Sequence, residues 1–436
     1  MATRTQAEPQ AGAQGEPQVQ DKRIPKTRIR AGTLRAALKD VTGVVEGRNT
    51  TPVLANVVLE VIDQRLTLTA TDLDIWAVRD CATDDRSGPD CKAWLDTIRM
   101  FSVCLPAKPL EAVLAEFDAD AMVTIEAPAE IDARWAGQVT VRAGKARFRL
   151  HALPVADFPL LGAMEIDAGF EMRCSALADA MAGVDHAIST DETRYYLNGI
   201  YLHPDNLDLR LATTDGSRLA LWSIDGPDGA ASFPSVIVSR KTVAVLEKLL
   251  AGAIKAADEK AEPPRVLVEA NAAGSRLRFA MPAEDGGEVE IVAKTIDGTF
   301  PDYRRVIPDA PEHRATIGRS ALAAAVKRMA VLADGKSRAM KIHFAPGQMT
   351  LSVRTPELGD GSEELDCAYD GPEIEMGFDS RYLRELLGAI ASDTVALQFN
   401  PDALGAVRAA GWVPDAGGGA GSETGPLLQV IMPVRV

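Results

Sequence analysis

The chain has 436 residues, of which 46% are hydrophobic and 25% charged, enough for two or three domains of roughly 150 residues each. Its 47 basic and 62 acidic residues give a net charge of −15, which argues against a protein that coats nucleic acid with its whole surface. No apolar run approaches the ~20 residues of a membrane span, and the first residues lack the apolar stretch of a signal peptide. We therefore expect a cytoplasmic protein with no membrane partner.

The sequence lacks the usual signatures of catalytic and metal sites. Its five cysteines share no CxxC spacing, and no two of its five histidines are three or four residues apart. Phosphate-binding, dinucleotide-binding and nucleophile-elbow motifs do not occur either. We predict no catalytic residues, no metal site and no cofactor.

The first 25 residues form a segment rich in Gln, Pro, Gly and Glu, with almost nothing apolar to bury. Such a segment cannot offset the entropy that it would lose on ordering. Residues 1–25 are therefore predicted to be a disordered tail. A flexible extension is the favoured interpretation, and partner binding is the alternative.

From residue 26 onward the chain repeats itself three times, which is the signature of tandem related domains. The strings AGTLRAAL, CSALADAM and RSALAAAV each follow a strand-like run, and Leu34, Leu177 and Leu322 within them lie 143 and then 145 residues apart. The strings LTLTATDLDIWA, from Leu66, and LRLATTDGSRLA, from Leu209, are again 143 residues apart. The spacing predicts three copies of one domain.

Each copy contains a second strand–helix unit. Residues 101–117, 235–250 and 374–390 each have the pattern of a strand followed by an amphipathic helix, and the runs between them alternate apolar and polar residues. This pattern predicts an α+β fold of three domains, each with antiparallel sheets and two helices. We place the domains at residues 26–162, 168–308 and 313–436.

Six helices on one side of a curved sheet would line an arc, and two such arcs related by twofold symmetry would close a ring. Twelve helices spaced ~8–10 Å apart leave a bore of roughly 35 Å. A DNA duplex with a layer of water fits through a bore of that size. An acidic outer surface would keep DNA from binding to the wrong face.

Several strings, taken in order, resemble the bacterial sliding clamp family, the β subunit of DNA polymerase III. They are TPVLANVVLE (51–60), TATDLDIWA (69–77), RYYLNGI (194–200), ATTDGSRLA (212–220), FPDYRRVIP (300–308) and MPVRV (432–436). The resemblance covers essentially residues 26–436. It implies three DNA-clamp domains with sheets outside and helices lining the bore, assembled as a head-to-tail dimeric ring around double-stranded DNA.

The resemblance also implies a function without chemistry. A clamp of this family tethers the catalytic subunit of DNA polymerase III, is opened by a clamp-loader complex, and serves other clamp-motif proteins such as repair and translesion polymerases. A ring held by topology needs only a mildly basic bore that slides over the phosphates. The residues expected to face DNA are Arg35, Lys39, Arg48, Tyr195, Tyr196, Arg240, Lys241, Lys327 and Arg328.

In the family, partners insert a short hydrophobic and aromatic peptide into a pocket between the second and third domains. The matching positions of the second domain are Leu197, Thr214, Gly216, Arg218 and Leu219, and those of the connector are Pro301, Arg305 and Val306. The C-terminal positions are Val430, Ile431, Met432, Pro433, Val434 and Arg435. An apolar surface with a few orienting polar groups suits peptide binding, and a methionine adapts to several partners.

Four residues depart from the family pattern. Ser217 stands where a larger polar residue is common, Val434 and Val436 replace longer side chains at the C-terminal end, and Ser239 stands where a proline often precedes the Arg-Lys pair. The sequence leaves three alternatives open. The chain is a housekeeping clamp, a plasmid, phage or secondary copy of one, or a copy that is not loaded onto DNA and instead sequesters clamp-binding partners. Asp72 and Asp74 have the spacing of a DxD metal motif. In the next repeat Asp215 matches Asp72 but Ser217 takes the place of Asp74, which favours a turn role for Asp72.

Overall fold

The structure is a computed structural model. It describes residues 25–46, 50–62, 65–82, 100–128, 131–258, 261–285, 287–308, 311–333, 338–356, 358–400, 407–411 and 427–434. The predicted tail lies outside the described residues, apart from residue 25.

The first third of the described chain contains eight strands and two helices. The strands are β1 Lys26–Arg30, β2 Asn56–Ile62, β3 Arg65–Thr71, β4 Ile75–Ala82, β5 Met100–Pro106, β6 Met122–Glu126, β7 Gly137–Ala143 and β8 Ala146–Ala152. The helices are α1 Ala31–Thr42 and α2 Ala107–Ala115.

The second third repeats this order of elements. Its strands are β9 Ala168–Arg173, β10 Gly199–Asp205, β11 Asp208–Thr214, β12 Arg218–Asp225, β13 Val236–Ser239, β14 Arg265–Ala270, β15 Arg276–Pro282 and β16 Glu288–Lys294. Its helices are α3 Cys174–Val184 and α4 Arg240–Ala256.

The last third repeats it again. Its strands are β17 His313–Gly318, β18 Ala339–Ala345, β19 Gln348–Thr355, β20 Gly359–Asp366, β21 Ile374–Asp379, β22 Thr394–Phe399, β23 Val407–Gly411 and β24 Leu427–Ile431. Its helices are α5 Arg319–Ala330 and α6 Ser380–Ala389. The tandem α+β fold expected from the sequence is therefore confirmed.

The repeated leucines explain why the first helix of each copy forms and where it packs. Leu34, Leu177 and Leu322 are all buried, and apolar neighbours three or four residues away complete the inward face of each helix. Two of the three second helices carry cap residues: the Ser239 hydroxyl accepts from the Thr242 N–H, and the Asp379 carboxylate accepts from the Arg381 N–H. The two helices of each copy pack against each other and against the sheets.

Strands from neighbouring copies join into continuous antiparallel sheets. One eight-stranded sheet has the order β5-β2-β3-β4-β16-β15-β14-β9, and the other has the order β13-β10-β11-β12-β24-β23-β22-β17. The seam between copies one and two is β4 against β16, with Trp76 opposite Val292. The seam between copies two and three is β12 against β24, with Leu219 opposite Val430.

Two half-sheets remain at the ends of the chain. They are β1-β6-β7-β8 in the first copy and β20-β19-β18-β21 in the third. Within the described residues, β8 and β20 pair on one side only. β8 has the same place in its copy as β16 and β24, and β20 has the same place as β4 and β12, which are the strands that form the two seams. A second copy of the chain could therefore complete both half-sheets in a head-to-tail arrangement.

Candidate partner site and DNA face

The turn between β11 and β12 is held by its own side chains. The Asp215 carboxylate accepts hydrogen bonds from the N–H groups of Ser217 and Arg218 at 2.9 and 3.2 Å, and the Thr214 hydroxyl accepts from the Gly216 N–H at 3.1 Å. Gly216 has φ +93°, a conformation that a residue with a side chain rarely adopts. This turn presents the start of β12 to the seam with β24.

Beneath the turn lies a buried apolar cluster, which we call the floor. Leu197, Leu219 and Val430 are each at most 4% exposed and pack with Phe300 and Tyr303. Leu219 and Val430 face each other across the seam, so the second and third copies both contribute to the floor.

Arg218 ties the two copies together beside the floor. Its Nε donates to the Asp215 carboxylate at 3.0 Å, its other guanidinium nitrogens contact the Glu385 carboxylate and the His186 carbonyl, and the group lies 4.3 Å from the centre of the Tyr382 ring. Glu385 and Tyr382 lie on α6 of the third copy. The side chain of Arg218 is only 9% exposed, so these contacts are shielded from water.

Burial and the adjacent Arg218 guanidinium lower the pKa of His186 to about 4. The ring is therefore neutral at physiological pH.

Three exposed apolar residues, which we call the rim, follow floor residues along the chain: Val306 comes three residues after Tyr303, and Met432 and Val434 come two and four residues after Val430. Val306, Met432 and Val434 are 49%, 38% and 37% exposed. The Met432 N–H donates to the Ser217 carbonyl at 2.9 Å, and the Val434 N–H donates to the Gly377 carbonyl at 2.8 Å. The segment after β24 is thus fixed along both the second and third copies.

The predicted partner residues have distinct places in this arrangement. Leu197, Leu219, Val430 and Ile431 are buried, and Thr214, Gly216 and Arg218 form or flank the turn. Met432, Pro433, Val434 and Val306 line the rim, Pro301 is exposed, and Arg305 is exposed and pairs with Asp302 at 3.0 Å. Arg435 lies outside the described residues.

The sequence reasoning missed five contributors to the site. Glu385, Tyr382 and His186 hold Arg218, and Phe300 and Tyr303 pack in the floor. Of these, Phe300 and Tyr303 had a local signal, since they lie within the quoted FPDYRRVIP string.

The predicted DNA residues that the structure describes lie on α1, α4 and α5 and on the 3-10 helix Glu192–Leu197. Lys39 is exposed and Arg35 half-buried on α1, Arg240 is exposed at the start of α4, and Lys327 is exposed near the end of α5. Tyr195 is 54% exposed, whereas Tyr196 packs against the floor, with the two rings 5.8 Å apart. Arg48 lies outside the described residues.

Two of the predicted DNA residues have carboxylate partners. Arg328 pairs with Glu363, and Lys241 pairs with Asp72 and with Glu46, the latter at 2.7 Å. Partial burial of Lys241 works against its charged form, but its hydrogen bonds to Asp72 and Glu46 outweigh that effect and raise its pKa. Because Glu46 and Asp72 belong to the first copy, Lys241 bridges the first and second copies.

Asp72 has the turn role that the repeat predicted. Its carboxylate accepts from the N–H groups of Asp74 and Ile75 at 3.0 and 2.7 Å, as the carboxylate of Asp215 does in the next copy. Among the described residues, no group of three or more His, Cys, Asp and Glu side chains could hold a metal ion. No helix in that part of the chain is long and apolar enough to cross a membrane.

Family models of the DNA polymerase III beta subunit match the chain in three consecutive pieces. The N-terminal domain model matches residues 26–162, the central domain model residues 171–302, and the C-terminal domain model residues 304–406. The beta sliding clamp of Caulobacter vibrioides is 35% identical over 379 residues, 86% of this chain and 93% of that protein. The beta sliding clamp of Escherichia coli K12 is 29% identical over 401 residues, 92% and 96% of the two chains.

Solved structures agree with the sequence relatives. The sliding clamp of Bartonella birtlesii bound to griselimycin superimposes with a TM-score of 0.80 at 29% identity, over 95% of this chain and all of that one. The beta sliding clamp of Caulobacter crescentus, with PEG bound to its putative beta-motif tethering region, has a TM-score of 0.80 at 32% identity and the same coverage.

Three repeated domains joined through continuous sheets, with two complementary edges left at the ends, define a ring-forming DNA clamp. The chain belongs to the DNA polymerase III beta subunit family, the bacterial beta sliding clamps. It is a sliding clamp, a dimeric ring that encircles duplex DNA and tethers the replicative polymerase to its template.

Proposed function

We propose that this clamp receives its partners at the floor and rim between its second and third domains, and that it performs no chemistry itself. The observation that carries the proposal is the buried floor of Leu197, Leu219 and Val430 beside the exposed apolar side chains of Val306, Met432 and Val434. A short hydrophobic and aromatic peptide could extend this apolar surface, and Arg218 and the turn supply polar groups to orient it. The partners are the polymerase catalytic subunit, the clamp loader and other clamp-motif proteins.

The rest of the assignment follows from the family and the charge distribution. We propose domains at residues 26–162, 168–308 and 313–436, and a cytoplasmic location, where a replication clamp meets the bacterial chromosome. Among the predicted DNA residues that the structure describes, Lys39, Arg240 and Lys327 are exposed on three different helices and are available to meet phosphates. Water-bridged contacts from such dispersed charges permit sliding.

We further propose that the ring closes by pairing β8 of one protomer with β20 of its partner. Arg147, Arg149 and His151 are exposed on β8, whereas Asp360, Glu364 and Asp366 are exposed on β20. Opposite charges on the two edges favour the head-to-tail pairing and oppose the pairing of like edges.

The register of the ring contact can be inferred from the two seams within the chain. The β7–β8 pair Val139–Leu150 matches the β15–β16 pair Leu277–Ala293, since both pairs pack on the main core, so Arg149 is the counterpart of Val292. By the same criterion the β19–β20 pair Arg354–Asp360 matches the β3–β4 pair Thr71–Trp76. Since Trp76 faces Val292, Asp360 would face Arg149 of the partner subunit.

Retention on DNA tests the function as a whole. The protein is loaded with a clamp loader and ATP onto a nicked circular plasmid, isolated by gel filtration, and the plasmid is then linearised. A clamp stays on circles and leaves linear DNA through the ends. Failure to stay on circles, with a control clamp retained, would favour a copy that sequesters partners, an alternative that the comparisons do not favour. Release that follows salt and ignores linearisation would indicate ordinary electrostatic binding.

The partner site has its own test. Met432→Ala with Pro433→Ala is expected to abolish binding of a partner peptide and leave the dimer intact, because the rim is exposed and lies away from β8 and β20. Unchanged peptide affinity would contradict the assignment of the site.

A further inference from the structure

The first domain contains a second buried apolar cluster that repeats part of the floor and lies beside the connector to the second domain. It consists of Val53, Leu54, Val58, Cys104 and Phe158, and we call it the junction cluster. Leu54 lies 143 residues before Leu197, and both end short 3-10 helices or lie within them. Phe158, like Phe300 in the floor, is buried and directly precedes a proline.

The backbone around the two clusters follows the same course. Asp72 and Asp215 each hold the turn into the seam strand, and the residues after them, Leu73 with φ +82° and Gly216 with φ +93°, share a left-handed conformation. Leucine rarely adopts this conformation, so the repeated turn imposes it on Leu73. The Lys294 N–H donates to the Asp74 carbonyl at 2.8 Å, just as the Met432 N–H donates to the Ser217 carbonyl.

The two sites differ in the side chains at the seam. Trp76 occupies the position of Leu219, and its indole N–H donates to the carbonyl of Pro159 at 3.1 Å. Lys294 occupies the position of Met432, pairs with Asp74 at 3.1 Å, and lies 5.8 Å from the indole ring. The indole thus reaches from β4 to Pro159, in the connector between the first and second domains, and is only 6% exposed.

We propose that the junction between the first and second domains is a second copy of the partner site that Trp76 and Lys294 keep closed. Its occupant, once it is opened, is the same short apolar and aromatic peptide, because the turn and the backbone of the seam match those of the partner site and the junction cluster repeats the floor positions Leu197 and Phe300 as Leu54 and Phe158. This inference rests on the function proposed above for the floor and rim. It explains why one protomer offers one peptide site although its fold repeats three times.

The test replaces the two covering residues by their counterparts. The probe is a fluorescein-labelled hexapeptide containing Leu and Phe that binds the wild-type protein, titrated by anisotropy and by calorimetry. Trp76→Leu with Lys294→Met is expected to raise the stoichiometry from one to two peptides per protomer, with a second dissociation constant within a hundredfold of the first. With Met432→Ala and Pro433→Ala added, one peptide should still bind. A stoichiometry that stays at one, and at zero in the combined variant, would overturn the proposal.

Two further variants keep the test independent of folding. Trp222→Leu is the matched control, because Trp222 is also 6% exposed but packs against Gly183 in the main core; it should leave the stoichiometry at one. Leu219→Trp carries the covering residue into the partner site and should weaken peptide binding at least tenfold, whereas unchanged affinity would refute the role given to the indole. A wild-type protein that binds no such peptide would refute the proposed function instead.

Discussion

Replacement of Arg218 by alanine is expected to destabilise the junction between the second and third domains and to weaken partner binding. The change removes contacts to the carboxylates of Asp215 and Glu385, to the His186 carbonyl, and to the Tyr382 ring. The mechanism is the loss of a shielded charge that satisfies several polar groups at once.

The size of the effect follows from the exposure of the groups left behind. Hydrogen bonds to charged groups contribute about 1.5–3 kcal/mol each, and breaking a buried pair costs about 3–5 kcal/mol. Glu385 is 34% exposed and regains water, whereas Asp215 is 16% exposed and the His186 carbonyl lies inside. We therefore expect a loss of about 3 kcal/mol in the free energy of unfolding, which lowers Tm by roughly 6–12 °C.

Calorimetry and peptide titration measure the two consequences. Peptide affinity should fall about tenfold, which corresponds to 1.4 kcal/mol, because the turn loses its anchor on the third domain. Arg305→Ala is the matched control, since that arginine is 83% exposed and its ion pair among the described residues is with the exposed Asp302; its effect on stability should stay below about 0.5 kcal/mol. Equal Tm values for the two alanine variants would refute the reasoning.

Three other predictions follow from charges elsewhere in the molecule. Arg79 is fully buried between Asp40 and Asp285, so Arg79→Met should lower the free energy of unfolding in urea by about 3–5 kcal/mol. Adding Asp40→Asn should recover part of the lost stability, because burial disfavours the charged form of Asp40 and raises its pKa. A double variant no more stable than Arg79→Met would contradict this explanation. In the unfolded chain the imidazole of His186 takes up a proton near pH 6.5, whereas in the folded protein it does so only near pH 4. The free energy of unfolding should therefore fall by up to about 3 kcal/mol between pH 7 and pH 4. His186→Gln should remove that part of the pH dependence, and an unchanged slope would be inconsistent with a neutral buried ring. Arg149→Glu should weaken the dimer about tenfold in low-salt sedimentation and lose most of this effect in 1 M salt, while Asp360→Arg in the same chain should restore pairing; failure of the rescue would count against the proposed register.

The sequence predicted most of the fold because repetition multiplies weak local signals. The strand before Leu34 is only Lys26–Arg30, too short to identify alone, but the same pattern precedes Leu177 and Leu322. The turn role of Asp72 was likewise deduced from Asp215. Repetition could not reveal which strands join across domains, because β4 meets β16 more than 200 residues later in the chain.

The ionic contacts around the site were beyond local sequence reasoning for the same reason. Arg218 and Glu385 are separated by 167 residues, and Lys241 and Glu46 by 195. No periodicity links such pairs, since each is created by the way the domains meet. Which side chains are exposed is likewise determined by the way the chain folds together. Tyr195 and Tyr196 are neighbours in the sequence, yet Tyr195 is exposed and Tyr196 packs against the floor.

The seams also determine the order in which the protein can be completed on the ribosome. After β4 has emerged, its outer edge stays unpaired until β16 follows, and β12 waits in the same way for β24. Unpaired edges are templates for aggregation, and β4, β12 and β24 carry few charges to prevent it. Among the sheet edges that the described chain leaves open, β8 and β20 carry exposed charges. During synthesis, protection from nonspecific association therefore depends on translation of the strand that pairs with each seam edge. In the finished chain, the charges on β8 and β20 protect those two edges.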